Sequence, residues 1–121
     1  MKVFVGHDWA EDHHDLHIED ETGKGLAKGR VPDGIVGVAR LHEMLAAHVD
    51  DPGEVTVATE TDRGLFVAAM VAAGYRVLAI NPRSTDKYRE RLSTSGAKSD
   101  PGDARVLAGL ARVDGHLHRP I

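Results

Sequence analysis

Alternation of strand-like and helix-like segments in the middle of the chain constrains the fold more than any other feature. "EVTVATE" (Glu54–Glu60) reads as a strand, "GLFVAAMVAAG" as an almost wholly apolar helix closed by Gly74, and "YRVLAIN" as a second buried strand ended by Pro82. A strand, helix, strand unit joins parallel neighbours, because the crossover returns the chain to the starting edge of the sheet. The amino-terminal part reads differently. "KVFVGHD" (Lys2–Asp8) runs from apolar β-formers to polar residues. "HHDLHIED" alternates, with His14, Leu16 and Ile18 on one face and His13, Asp15 and His17 on the other. "ETGKG" is a hairpin turn and "LAKGRV" a third strand. Asp33 stands as the N-cap of a helix in which Ile35, Val38, Leu41, Leu45, His48 and Val49 recur at helical spacing up to the "DDPG" stop. A last helix is expected from about Pro101 to Arg112. The prediction is a single α/β domain over residues 1–121: a mixed five-stranded sheet, three antiparallel strands then two parallel, flanked by helices. A chain of 121 residues is long enough for one such domain and too short for two.

In this order the strand ending in Glu60 lies beside the strand ending in Asp8 and runs the same way. Ligands of open α/β sheets gather at the carboxyl ends of such strands. Two acids leaving neighbouring strands at one edge repel unless a cation, a proton or an arginine lies between them. With no cysteine in the chain, a metal would take oxygen or imidazole ligands, and carboxylates favour Mg²⁺ or Mn²⁺. Asp100 and Asp103, three residues apart in "GAKSDPGDARVLAGLA", share one helix face and can be aimed at the same edge. Asp100, Pro101, Gly102 and Asp103 also read as N-cap, N1, N2 and N3 of a helix, so on these residues alone a cap and half of a metal site are both open.

Charge is unevenly spread. Residues 1–60 carry 13 acids and 5 Lys/Arg, net −8, whereas residues 61–121 carry 6 acids and 10 Lys/Arg, net +4. Arg83, Lys87, Arg89, Arg91 and Lys98 give a local excess of three positive charges over Asp86 and Glu90, either a solvated helix face or a phosphate-contacting segment on which Tyr88 stacks a base. His7, next to Asp8 but on the opposite strand face, reads as structural. His13, His14 and His17 read as surface residues, since His13 and His17 are about 13 Å apart by strand rise, too far for one ion. Trp9 is expected to pack near its strand end, and His116 and His118 to lie in a disordered tail. The first residues reach His7 and Asp8 before any apolar leader develops, and the longest apolar run, Leu65–Ala73, is too short to span a bilayer, so a soluble cytoplasmic protein without membrane contact is expected.

Four motifs, "VGHDWA", "ATETDRG", "AINPRSTDKY" and "GAKSDPGDARVLAGLA", together resemble the amino-terminal RuvC-like domain of the DEDD-type insertion-sequence transposases, the bridge-RNA-guided recombinases. The resemblance covers essentially the whole chain. It implies a ribonuclease H-like fold and implies that Asp8, Glu60, Asp100 and Asp103 are the D, E, D and D that hold Mg²⁺ at a DNA phosphodiester. It further implies DNA cutting and rejoining with a serine nucleophile of a separate carboxyl-terminal domain not contained in this chain, a guide RNA, a homo-oligomeric full-length protein and a bacterial cytoplasm. A further acid, Asp62, follows Glu60 closely enough to compete for the same role. Two other readings stand beside this one: a non-catalytic nucleic-acid-binding or assembly module, and an ATP-binding actin-like half domain. The second lacks a glycine-rich phosphate loop after the first strand.

Overall fold

The computed structural model describes residues 1–61, 63–85, 87 and 102–121. In chain order they form β1 (Val3–Trp9), β2 (His13–Asp20), β3 (Gly25–Pro32), α1 (Ile35–Ala46), β4 (Val55–Thr59), α2 (Leu65–Ala72), β5 (Arg76–Ala79), α3 (Gly102–Asp114) and β6 (Arg119–Pro120). The sheet has six strands in the order β3-β2-β1-β4-β5-β6. β1 pairs antiparallel with β2 and parallel with β4, and β4 pairs parallel with β5. The meander and the crossovers are therefore as the alternation of segments predicts. Among the described residues, no helix is long and apolar enough to cross a membrane.

Both faces of the sheet are covered, and β1 shows how one strand serves two cores. Val3 and Val5 join the cluster formed with Leu41 and Leu45 of α1 and with Phe66, Val67 and Met70 of α2. Phe4, one residue out of phase, packs against the cluster of Ala58, Leu78, Val106, Leu107 and Leu110 under α3. Strand alternation thus sorts neighbouring residues into opposite layers. The approach of α3 is set by Gly6: a Cβ there would sit 1.6 Å from the carbonyl oxygen of Ala104 and 2.6 Å from the amide nitrogen of Ala108. No other residue type permits that contact. Arg112, near the other end of α3, donates from Nε to Oε2 of the buried Glu19 on β2 at 2.6 Å.

Several expectations are corrected. The sheet gains a sixth strand because the last residues return along β5, with the Ile121 N–H donating to the Val77 carbonyl at 2.8 Å. His116 accordingly lies in a single 3-10 turn, Gly115–Leu117, and His118 leads directly into β6, not into a loose tail. Asp33 does not cap α1; the N-cap is Gly34, at φ 94°, and the Asp33 carboxylate is turned back to His14. α1 ends at Ala46, before His48 and Val49, and Ile35 is 81% exposed. His14 is fully buried and not a surface residue, whereas Trp9 is 56% exposed and not packed. α3 runs slightly beyond the predicted helix, to Asp114.

Candidate active site

The last registered pair between β1 and β4, strands about 4.8 Å apart, is His7 with Thr59, so Asp8, still in β1, and Glu60, the first residue past β4, follow from that pair at the same edge. α3 crosses β1 at Gly6, two residues before Asp8, and carries Asp103 in its first turn. Three of the four acids singled out in the sequence therefore converge on one sheet edge. Asp8 registers their presence: burial first, then the charges of Asp103, Asp15 and Glu60, push its carboxyl above the usual carboxylate range, with His13 opposing. Asp100, the fourth acid, and Asp62 lie outside the described residues.

Sequence reasoning did not assign Asp15 and Arg30 to this edge. Asp15 sits directly opposite Asp8 across the β1–β2 pair. Its carboxylate is held by a two-pronged contact with Arg30 of β3, at 2.8 Å from Nε and 3.1 Å from Nη2, and that contact holds its pKa below the usual range. The signal was present in the alternation, which put His13, Asp15 and His17 on the face opposite His14, the face that Asp8 shares. Arg30 was invisible because its partner depends on the β2–β3 register, not on spacing along the chain.

A family model of DEDD-type transposases of the IS110 group, described as transposase, matches residues 5–121. The chain belongs to this transposase family. It is 48% identical over 122 residues to a mini-circle protein of Streptomyces coelicolor assigned as the transposase for IS117, a match that spans all of this chain and 30% of that protein. It is 32% identical over 118 residues to a protein of Sinorhizobium fredii assigned as transposase y4uE, spanning 96% of this chain and 33% of the relative. The chain thus spans about a third of the length of these relatives. In fold it is similar to a Thermus thermophilus RuvC solved with a Holliday junction substrate, with a TM-score of 0.63 at 17% identity and full coverage of both chains. A second T. thermophilus RuvC structure gives a TM-score of 0.59 at 18% identity, covering 98% of this chain and 99% of the other. The transposase domain therefore has the RuvC, ribonuclease H-like fold.

The donor set of this transposase edge suits a hard divalent cation: carboxylate oxygens, no thiolate, and an Asp8 whose charge is disfavoured until something positive approaches. Among the described residues, no group of three or more His, Asp or Glu side chains is already gathered tightly enough to hold a metal ion. The two observations concern different ranges. Like charges sense one another over most of a Debye length, about 8–10 Å, whereas Mg²⁺ requires oxygens at about 2.0–2.1 Å. Of the basic segment, residues 82–85 and 87 are helical and both Arg83 and Lys87 are exposed. Arg89, Arg91, Lys98 and Tyr88 lie outside the described residues.

Proposed function

We propose that this chain is the catalytic amino-terminal domain of a DNA transposase, in which Asp8, Glu60, Asp100 and Asp103 hold Mg²⁺ or Mn²⁺ at a DNA phosphodiester. The observation that carries the reading is geometric: Asp8 of β1 lies beside the end of β4, which leads into Glu60, and α3 crosses β1 at Gly6 with Asp103 in its first turn, a gathering of acids that raises the Asp8 carboxyl. A bound divalent ion would polarise the phosphoryl oxygens and neutralise charge that develops on them. The protein's own part is positional. β1 would hold one carboxylate, the turn after β4 a second and α3 a third, and Arg83 and Lys87, with Arg89, Arg91 and Lys98, would neutralise flanking phosphates. Similarity in fold to a RuvC solved on a Holliday junction favours a branched DNA substrate. The family resemblance adds strand transfer with a serine of a separate domain, a guide RNA and a homo-oligomeric full-length protein.

Thermal unfolding in the presence of Mn²⁺ or Mg²⁺ tests the metal assignment. Millimolar cation is expected to raise the melting temperature by mass action and Asp8→Asn to remove that increment. Without cation the same variant should be more stable than wild type at neutral pH, because the raised Asp8 carboxyl opposes folding once it ionises. An unchanged melting temperature in wild type at millimolar cation would contradict the proposal. Nucleic-acid binding that survives with no cation-dependent cleavage would favour the non-catalytic binding module.

A further inference from the structure

His7 and Thr59, the residues immediately before Asp8 and Glu60, turn to the other face of the sheet and are both fully buried. There the Thr59 hydroxyl lies 3.0 Å from Nδ1 of His7, Nε2 of His7 lies 2.7 Å from Nδ1 of His14, and Nε2 of His14 lies 2.8 Å from Oδ1 of Asp33. The Phe66 ring of α2 stacks on both imidazoles, with centroid separations of 4.9 Å to His7 and 4.1 Å to His14. The backbone N–H of Thr61 donates to the Thr59 hydroxyl oxygen at 3.3 Å. Four side chains from three strands and one loop are thus linked in a single line from the half-exposed Asp33 to the turn that bears Glu60.

The chemistry of the terminal group orients this line. An ionised carboxylate only accepts, so Nε2 of His14 carries hydrogen. In the tautomer with that single hydrogen, its Nδ1 accepts from Nε2–H of His7, and Nδ1 of His7 accepts from the Thr59 O–H. The same Thr59 oxygen accepts the Thr61 N–H through a lone pair. Every link has one hydrogen and every buried donor has an acceptor. Turning either ring to its other tautomer places N–H against N–H or lone pair against lone pair, a mismatch that costs most where the groups are fully buried.

Glu60 lies beyond the end of β4, where the pairing with β1 has stopped. Its two neighbours in sequence, the Thr59 side chain and the Thr61 amide, meet at one oxygen, and that oxygen is anchored through two histidines to Asp33. We infer that Thr59, His7, His14 and Asp33 form a positioning relay that, from the opposite face of the sheet, fixes the Glu60 turn and its separation from Asp8. The inference rests on Asp8 and Glu60 being the reactive edge, as proposed above. It predicts that Asp33, on an exposed loop and off the strands that carry the acids, acts on the site through the relay alone.

Nuclear magnetic resonance of the 121-residue chain tests it. In wild type at neutral pH, ring ¹⁵N shifts should report Nε2–H tautomers for both His7 and His14. Asp33→Ala should shift the Glu60 and Thr61 resonances and shorten the exchange lifetime of the Thr61 amide. Asp33→Asn, whose Oδ1 accepts the same hydrogen, should restore both. Thr59→Val should reproduce the loss and Thr59→Ser should not. Removing such an outer-shell support should also weaken Mg²⁺ binding, read from the Asp8 and Glu60 carboxyl signals, by roughly tenfold or more. Perturbations in Asp33→Ala that stop at His14 and the β3–α1 loop, leaving residues 59–61 as in wild type, would overturn the relay. So would an Nδ1–H tautomer at His14. The amide readout needs no metal, so a wild-type chain indifferent to Mg²⁺ would refute the metal reading and leave the relay to be judged on Thr61.

Discussion

At the scale of single residues, the features that matter are buried polar groups, and each has a cause in its neighbours. His7 remains neutral in the folded chain well below pH 6.5, its pKa being depressed to about 3 by burial, whereas in the unfolded chain it takes up a proton normally. The sign follows: the unfolded state binds the extra proton, so stability from this group is complete above pH 6.5 and is lost as pH falls towards 3. The slope in that window is up to about 1.4 kcal/mol per pH unit. Urea unfolding at pH 7 and pH 5 should show the loss, and His7→Gln should flatten the pH dependence even if it lowers stability at pH 7. A wild-type profile level between those two pH values would contradict the buried neutral ring. Sequence anticipated that His7 is structural, since it alternates with Asp8. It did not anticipate His14, because two buried histidines satisfy each other only once β1 and β2 are in register.

At the scale of elements, the packing of α3 on β1 decides whether the site exists at all. Gly6 leaves the space that α3 occupies, and any Cβ at that position meets helix backbone that has no side-chain freedom to yield. Gly6→Ala should therefore cost about 3 kcal/mol or more, at the upper end for overpacking, as measured by chemical denaturation, and should carry Asp103 away from Asp8. A Gly6→Ala chain as stable as wild type would mean that α3 does not sit there. Arg112 ties the far end of the same helix to β2. Arg112→Ala leaves the Glu19 carboxylate buried without its guanidinium, though His17 Nε2 stays at 3.4 Å, and should cost on the order of 3 kcal/mol in the same measurement. Strand and helix existence was legible wherever an apolar pattern ran for a full element, alternating in β2 and continuous in α2. β6 was not, since two residues that include a proline carry no periodicity and are recruited by the open edge of β5. Nor was the α1 start: Asp33 has the chemistry of a cap, but the buried His14 takes its carboxylate instead.

At the scale of the whole molecule, three layers divide the labour. The α1 and α2 layer contains the larger core and the histidine pair, while the α3 layer covers the second core and brings Asp103 to the acidic edge. Likeness to RuvC at 17% identity shows that the layered fold is kept when most side chains differ. The candidate site was legible in part because strand order alone places Asp8 beside Glu60. Its compensation by Arg30 was not, because that depends on three-strand register. The central claim, that acids from β1, the end of β4 and α3 close on one divalent cation, is met most directly by diffraction from Mn²⁺-soaked crystals at the manganese edge. An anomalous peak at coordination distance from carboxylate oxygens of both Asp8 and Asp103 is predicted, while a peak elsewhere, or none at saturating Mn²⁺, would contradict the account.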